Sequence, residues 1–342
     1  MDLMYIRYRG VELGYDSGYL KHFEADFDIT TDTEYVTNDF EIKMALPVSS
    51  EDLYYSENAI KTIVYVEGTE YGGEITGSII DTDENIITYT GRTWRGTLSE
   101  WIIEPPAGQD YLVVSGNVAT SIRRLPFSDY LQMADTGYVS GTFQFARYIT
   151  TFEGISALLA AVNTSLRLGI EFNEASGDYT GIATMTIEPA RELADLIEVS
   201  QDYDNNIKLR IERDHTTPRH LICLGQGELK NRQVIHLYAD EDWNISQNVI
   251  SGAYPTDIYD FSSTENLLSD GMKRFQELID NHERIDVSIQ DLDIRLGDII
   301  SARDRLTNEN VTAEITNIVW RVTDYGDHKD EVYEYKTKII RR

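Results

Sequence analysis

The sequence predicts an α+β protein dominated by antiparallel β-strands, with a β-barrel or sandwich at each end and an α/β region between them. Three observations predict this fold class. Apolar and polar residues alternate with period two near both ends of the chain. Clusters of turn-forming residues, such as "EGTEYGG" and "DYGDHKD", separate the alternating segments. Helical periodicity is concentrated in the middle of the chain.

The first clear strand pattern is "HFEADFDIT", in which Phe23, Ala25, Phe27 and Ile29 face one way while acidic residues face the other. This alternation is typical of a half-buried antiparallel strand. The other predicted apolar strand faces are Phe40/Ile42/Met44, Ile60/Thr62/Val64/Val66, Ile207/Leu209/Ile211, Thr316/Ile318/Trp320/Val322 and Tyr333/Tyr335/Thr337/Ile339.

Helices are predicted between these regions. "TTFEGISALLAAVNTSLRLG" begins with Thr150 and Glu153 at capping-box spacing, carries an apolar stripe as far as Leu166 and ends at Gly169. "EPARELADLIEVS" places Pro189 in a first helical turn, and a shorter helix is expected over residues 118–125. A last helix begins at a Ser/Thr cap in "SSTENLLSDGMKRFQELIDN". Its predicted apolar stripe is Leu267, Leu268, Met272, Phe275, Leu278 and Ile279.

Composition excludes several functional classes. The 342 residues carry 30 basic and 59 acidic side chains, a formal net charge of −29 that repels nucleic acid. No apolar run approaches the ~18 residues of a membrane-spanning helix, and "MDLMYIRYRG" lacks a secretion-signal core. The single cysteine, Cys223, excludes an internal disulfide, and its apolar neighbours predict a small core residue.

Motifs for catalysis or metal binding are incomplete. "DTDEN" places Asp81, Asp83 and Asn85 like the first calcium-loop ligands, but later loop positions hold Ile86 and Arg92, so a hairpin turn is the better interpretation. The six histidines include no HExxH pair. His215 and His220 flank "TTPR" in a predicted loop, where a zinc site would need ligands from elsewhere. "LGQGE" lacks the third glycine of a dinucleotide fingerprint. We therefore expect no enzyme activity, no cofactor and no metal.

One stretch, "GRTWRGTLSEWIIEPPAG" from Gly91 to Gly108, gathers glycines, arginines and two tryptophans. A phosphate cradle, a nucleic-acid contact and a structural seam are all open interpretations of this composition. The net charge and the absence of a glycine loop leading into a helix favour the seam. Arg92 and Arg95 would then pair with carboxylates, Gly91 and Gly96 would permit close backbone turns, and Trp94 and Trp101 would fill the seam.

This stretch also resembles the "G-R-x-x-x-G-x-L-x-x-x-I-I-x-P" segment of the Gp37-like tail-tip hub proteins of long-tailed phages (siphoviruses). "LGQGELKNR" resembles the family's "G-x-G-E…R" stretch, and "DLDIRLGDIISARDRLTNENVTAEITNIVW" resembles its closing barrel segment. The matches extend from about residue 20 to the C-terminus, and in the closing segment they add Gly297 and Asp298 as structural or interface candidates.

The resemblance implies a virion structural protein at the distal tail tip, made in the host cytoplasm and similar to the baseplate hub of contractile phages. It implies two related β-barrels, an α/β insertion domain and a homotrimer whose pseudo-sixfold ring docks on a sixfold tail tube. The implied partners are the distal tail protein ring, the tape-measure protein and tip or receptor-binding proteins. DNA would pass through the channel at ejection without specific binding.

The expected domain boundaries are 1–96 for the first barrel, 97–203 with 241–283 for the α/β insertion, and 204–240 with 284–342 for the second barrel. Two alternative functions are a tail-associated cell-wall hydrolase and a carbohydrate-binding tail protein. The chain ends at Arg342 soon after the last strand pattern, so we expect no lytic domain. The 22 tyrosines and the tryptophans suggest carbohydrate binding, whereas aromatic residues on alternating strand faces are usually core or interface residues.

Overall fold

The computed structural model of the chain describes residues 1–8, 15–33, 38–46, 61–134, 139–170, 183–193, 198–199, 208–252, 254–262, 266–280, 283–289, 294–303 and 310–339. The chain divides into two compact units. The first comprises Met1–Lys208 and Val287–Lys336, and the second comprises Leu209–Asp286 and Thr337–Arg342.

The largest sheet of the first unit is built mainly from strands near the two ends of the chain. Its strands are β1 (Met4–Tyr8), β2 (Tyr15–Tyr19), β3 (Phe23–Thr30), β4 (Asp39–Ala45), β5 (Lys61–Tyr65), β6 (Gly72–Asp81), β7 (Ile86–Thr93), β15 (Glu198–Val199), β22 (Ile299–Arg303), β23 (Asn310–Asp324) and β24 (Lys329–Ile339, up to Lys336). The order is β24-β23-β3-β4-β7-β6-β5-β1-β2, with β22 paired to β23 and β15 to β22.

Apolar and polar residues alternate along these strands, so each strand can bury one face, and the predicted apolar faces of β3 and β4 are buried. Phe27 lies opposite Phe40 on one side and Trp320 on the other, with ring centroids 5.0 and 5.5 Å away. Cross-strand aromatic pairs of this kind fix the register of neighbouring strands. The predicted face residues Ile60 and Ile207 lie outside the described residues.

The β-dominated α+β class is confirmed, with 47% strand and 16% helix. Strand β3 pairs with β23, so strands from the two ends of the chain lie in one sheet. Hydrogen bonding does not close the described strands into a barrel. The proposed domain boundaries stay a prediction.

The middle of the chain adds an α/β region to the first unit. Its elements are α1 (Trp94–Thr97), β8 (Ile102–Ile103), β9 (Val113–Asn117), α2 (Val118–Ile122), β10 (Leu131–Met133), β11 (Ser140–Gln144), β12 (Ile149–Thr150), α3 (Thr151–Ala161), β13 (Thr164–Gly169) and β14 (Ala183–Pro189). Strands β10, β14 and β13 form a small sheet, and helices α2 and α3 share one hydrophobic core with it.

Helix α3 has the predicted capping box, because Thr150 and Glu153 hydrogen-bond each other's backbone N–H groups. The predicted end at Gly169 is wrong. The helix stops at Ala161, Asn163 takes a left-handed φ of 53°, and residues from Thr164 pair with β14 as a strand. Residues 118–125 contain the expected short helix, α2.

The helix predicted from Pro189 is wrong in its described part. Pro189 is the last residue of strand β14, and residues 190–193 are not helical. Glu192 instead forms a parallel bridge with Ile299, and Leu193 donates its N–H to the Ile299 carbonyl. Pairing with a distant strand overrides the local helical pattern here, and residues 194–197 lie outside the described part.

The second unit contains a small sheet covered on one face by a helix. The strands are β16 (Lys208–Arg213), β17 (His220–Leu224), β18 (Val234–Ala239), β19 (Ile245–Ser246), β20 (Thr256–Asp260) and most of β21 (Glu283–Ile289), and the helix is α4 (Leu267–Asp280). The four-stranded order is β19-β18-β17-β20, and β16 pairs with β21.

Helix α4 buries Leu267, Phe275 and Ile279 against Leu221 and Leu237 of this sheet. Cys223 lies in the same core with no exposed surface, as predicted. Met272 was expected on the buried stripe, but it is 38% exposed. Of the predicted Ser/Thr cap at residues 262–264, Ser262 lies in a turn five residues before the helix begins, and residues 263–264 are outside the described residues. No helix in the described ranges is long and apolar enough to span a membrane.

Candidate functional site

The β7–α1 joint, defined here as residues 91–96, is the point at which the large sheet leads into the α/β region. Thr93 ends β7, and its hydroxyl oxygen accepts the Gly96 N–H at 3.3 Å as the cap of α1. The same hydroxyl donates to the Asn38 carbonyl at 3.0 Å. This double contact fixes the start of α1 against the loop that leads into β4.

Close backbone approach explains the glycine at position 96. A Cβ atom there would lie 2.1 Å from the Asn38 carbonyl oxygen, a distance that real Cβ atoms do not show. Gly91 lies within strand β7, where a Cβ would approach the Glu74 carbonyl oxygen to 2.2 Å. Both positions therefore serve close packing of neighbouring backbone, and neither has a positive φ.

Arg95 is buried at this joint, with only 2% of its surface exposed. Its Nε donates to Glu70 Oε1 at 2.6 Å and its Nη2 to Glu70 Oε2 at 3.1 Å, which makes a two-pronged ion pair. Nη2 also donates to the Leu166 carbonyl of β13 at 3.0 Å. The Arg95 side chain therefore ties the joint to the α/β region.

Arg92 lies in strand β7, directly opposite Asp39 of strand β4. Burial raises the pKa of Asp39 above its ordinary value, and repulsion from Asp28 raises it further. The positive charge of Arg92 acts in the opposite direction and lowers the pKa of that carboxyl group.

The two tryptophans of the stretch have different environments. Trp94 has no exposed surface and belongs to the core of the α/β region, and its Nε1 has no hydrogen-bond acceptor within the described structure. Trp101 is 41% exposed, so the expectation that it fills the seam with Trp94 is wrong. The reason is that the short helical turn ends at Glu100 and an extended residue follows, which turns Trp101 outward before β8.

The Asp298 cluster, consisting of Asp298, Arg167 and Arg191, is a second group of charges, in which Asp298 and Arg167 are buried and Arg191 is partly exposed. Asp298 has no exposed surface. Its Oδ1 accepts from Arg167 Nη2 at 3.0 Å and from Arg191 Nε at 2.9 Å, and its Oδ2 accepts from Arg191 Nη2. The backbone N–H of Arg295 also donates to Oδ2 at 2.7 Å, so the carboxylate is fully hydrogen-bonded.

Gly297 makes the turn that presents Asp298 to these arginines. Its φ is +78°, a backbone conformation that residues other than glycine rarely adopt. A Cβ atom at this position would lie 2.5 Å from Ser165 Oγ. The two candidates from the closing segment, Gly297 and Asp298, therefore belong to one structural device.

Strand β13 connects the two sites. Arg95 bonds to the carbonyl of Leu166, Ser165 lies against Gly297, and Arg167 reaches Asp298. Three consecutive residues of one strand thus contact both the β7–α1 joint and the Asp298 cluster. We call this arrangement the β13 brace.

Sequence reasoning missed Arg167, Arg191 and Glu70 as members of these sites. Arg167 lies in "SLRLG" between two leucines, and strand β13 is buried on both faces at this point, so the arginine is buried as well. A buried arginine needs a specific partner, but the burial follows from strand pairing, and the segment was predicted to be helical.

Each arginine of the brace is hydrogen-bonded to a carboxylate, and such pairs position the backbone segments that carry them. Among the described residues, no group of three or more His, Cys, Asp or Glu side chains is arranged to hold a metal ion. An open groove beside β10 is lined by Arg123, Phe127, Leu131, Gln132, Met133 and Ala134.

No family model matches the sequence, and no curated protein matches it. Solved structures do match. A prophage MuSo2 43 kDa tail protein from Shewanella oneidensis superposes with a TM-score of 0.57 at 14% identity, covering 99% of this chain and 98% of that one. The chain shares its fold with phage tail proteins.

Two further structures have the same relationship to the chain. A tail protein from Neisseria meningitidis MC58 has a TM-score of 0.54 at 12% identity over 99% of this chain and 97% of its own. The prophage tail protein gp18 from Listeria monocytogenes EGD-e has a TM-score of 0.52 at 10% identity, covering 100% and 95%. At these identities the correspondence is one of fold.

Proposed function

We propose that this chain is a structural hub at the distal end of a phage tail. The observation that carries the proposal is the correspondence with tail proteins over nearly the whole length of both chains, 99% and 98% for the Shewanella protein. A fold shared over nearly the full length of both chains is consistent with a shared architectural role, which the experiments below test.

The β13 brace supports the same role. Arginine–carboxylate pairs and one arginine–carbonyl bond join five chain segments of the first unit, those of Glu70, Arg95, Leu166–Arg167, Arg191 and Asp298. A hub at the end of a tail must hold its shape while neighbouring proteins attach, and hydrogen-bonded buried ion pairs favour one arrangement over others. A rigid scaffold requires no catalytic group.

In the proposed hub, three chains form a ring with pseudo-sixfold symmetry on the sixfold tail tube. A threefold ring meets a sixfold tube when each chain offers two similar surfaces. The ring would join the distal tail protein and the tape-measure protein to the tip or receptor-binding proteins. The net charge of −29 suits a channel through which DNA slides without adhering.

The test is to locate the chain in intact particles by electron cryomicroscopy, together with deletion of its gene. We expect three copies at the distal end of the tail and tails that lack their tip after deletion. Complementation with the wild-type gene should restore the tip. Finding the chain along the tube, in the capsid or only in unassembled form would contradict the proposal.

A matched pair of variants separates assembly from expression. Asp298→Ala breaks the brace, whereas Asp26→Ala removes one partner of an ion pair whose side chains are 47% and 45% exposed. We expect tips to be restored by Asp26→Ala and not by Asp298→Ala. Equal restoration by both variants would show that the brace is not needed for assembly.

One observation favours carbohydrate binding as a second candidate function. Trp101 and Tyr148 are 41% and 61% exposed, and both adjoin the β8–β12 pair. Exposed aromatic rings can stack on sugar rings, and the guanidinium of Arg147 lies 5.5 Å from the Tyr148 ring centroid. A glycan array tests this: a reproducible hit lost in Trp101→Ala supports it, and an array without hits contradicts it.

A further inference from the structure

The small sheet of the second unit has one face turned away from helix α4. Leu221, Cys223 and Leu237 point toward the helix and are buried. Because side chains alternate along a strand, His220, His236 and Tyr238 lie on the opposite face. The strand registers place His220 opposite Tyr238 of β18 on one side and Thr256 of β20 on the other.

Two imidazoles meet on this open face. Nε2 of His220 lies 2.9 Å from Nδ1 of His236, and Nδ1 of His220 lies 3.1 Å from the Thr256 hydroxyl oxygen. The Tyr238 ring lies parallel to the His220 ring, with centroids 4.4 Å apart. Tyr238 therefore supports the His220 ring from one side, and Thr256 sets its orientation.

From this geometry we propose that His220 and His236 form a binding site for a divalent transition metal of the zinc, nickel and copper class. Imidazole nitrogens bind such ions at about 2.0–2.1 Å. Two nitrogens on one ion at bond angles of about 90–109° are then about 2.9–3.4 Å apart. The observed separation of 2.9 Å falls within that range, so the strands need no movement to bring both ligands to one ion.

Binding requires rotation of the rings, because one nitrogen now donates a hydrogen bond to the other. In the metal-bound form, Nε2 of His220 and Nδ1 of His236 both present lone pairs, and His236 carries its proton on Nε2. Nδ1–H of His220 donates to the Thr256 hydroxyl, as the outer-shell partner of a metal-binding histidine does. Water occupies the remaining coordination positions.

The chemistry of the site selects the class of metal. Two imidazoles suit zinc, nickel and copper, whereas calcium and magnesium require oxygen ligands. Alternation along β20 places Asp257 on the opposite face from Thr256. Cys223 is fully buried on the α4 side, so its thiol does not compete for added metal.

Isothermal titration of the untagged protein with ZnCl₂ and with NiCl₂ tests the proposal. We expect one equivalent of either ion to bind per chain, and no binding of MgCl₂. His220→Ala and His236→Ala should each weaken binding by at least about 10-fold. His328→Ala is the matched control, because that exposed histidine lies in the first unit beside Asp327, and it should bind as the wild type does.

A conservative variant tests the positioning residue. Thr256→Val removes the hydroxyl while keeping a β-branched side chain, and should weaken binding by about 10-fold. Circular dichroism of every variant checks that the fold is retained. Absence of zinc and nickel binding in the wild type, or unchanged binding in both His220→Ala and His236→Ala, would overturn the proposal. The outcome is independent of whether the chain is a tail hub.

Discussion

The carboxylate of Asp298 has no exposed surface and accepts hydrogen bonds from several donors. Replacing it with alanine leaves Arg167 and Arg191 without their shared anion in a largely buried site. Removing one partner of a buried ion pair costs about 3–5 kcal/mol. We expect Asp298→Ala to lower the free energy of unfolding by that amount in urea titrations followed by circular dichroism.

The surface pair between Arg321 and Asp26 is the control for this prediction. Its side chains are 47% and 45% exposed, and the Nε–Oδ2 distance is 2.8 Å. Solvent screens such pairs, so Asp26→Ala should cost no more than about 1 kcal/mol. A similar loss for Asp26→Ala and Asp298→Ala would contradict the assignment of the β13 brace as a stabilising feature.

Gly96 is a second residue with a specific steric role. A methyl group at this position meets the Asn38 carbonyl oxygen at 2.1 Å, and a backbone atom cannot rotate away. We expect Gly96→Ala to destabilise the protein by about 1–3 kcal/mol. Gly169→Ala is the control, because its added Cβ would make an ordinary 3.6 Å contact. Equal melting temperatures of the two variants would refute the steric explanation.

Cys223 gives a prediction about pH. Burial raises the pKa of its thiol to about 11, so the reactive thiolate forms only at strongly alkaline pH. At pH 8 the thiolate fraction is about one in a thousand, and the sulfur is also inaccessible. Iodoacetamide should label the folded protein very slowly at pH 8 and the urea-unfolded protein quickly. Rapid labelling of the folded protein would contradict the buried position.

At the scale of elements, the turn between β23 and β24 depends on Asp324. Burial raises the pKa of this carboxyl group, but the backbone N–H groups of His22 and Gly326 and the charge of Lys329 lower it below its ordinary value overall. A carboxyl whose folded pKa is depressed stabilises the fold above its unfolded pKa of about 3.9. That contribution is lost as the pH falls through the folded value.

Asp324→Asn should therefore be less stable than the wild type at pH 7, and the difference should shrink below about pH 4. Urea titrations of both proteins at pH 7 and pH 3 measure it. The N–H donors remain in both proteins, so the comparison isolates the charge. A difference of the same size at both pH values would show that the carboxylate charge is not responsible.

Strands and helices could be predicted from the sequence where the local periodicity of apolar residues determines the secondary structure. The alternation in β3 and β4 is confirmed because each strand has one face in the core. The segment 164–169 was predicted to be helical because Leu166 continues the periodicity of α3. Its conformation is decided by pairing with β14, whose partner residues lie 15 to 25 positions later in the chain, beyond the range of the local pattern.

The candidate sites show the same limit. The residues of the β7–α1 joint are contiguous in sequence, so their composition identified them. The Asp298 cluster joins Arg191 to a residue 107 positions away, and local spacing carries no information about such a pair. Exposure of Trp101 was likewise decided by where the short helical turn ends, which the sequence pattern does not determine.

For the whole molecule, the net charge affects how strongly copies of the chain repel one another. Each chain has a formal net charge of −29, so three chains in the proposed ring would repel one another at long range. Salt shortens the screening length from about 30 Å at 0.01 M to about 8 Å at 0.15 M. If copies associate mainly through uncharged contacts, raising the salt concentration should therefore favour the proposed trimer over the single chain.

We expect light scattering on purified protein to show a mass closer to that of the 39.1 kDa chain at low salt. The mass should shift toward three times that value as NaCl rises at fixed protein concentration. Sodium chloride and potassium chloride should act alike, because screening depends on ionic strength rather than on ion identity. A trimer that dissociates on adding salt would instead indicate an interface held by ion pairs between chains. In that case the acidic balance would be compensated at the interface by the chain's own arginines and lysines.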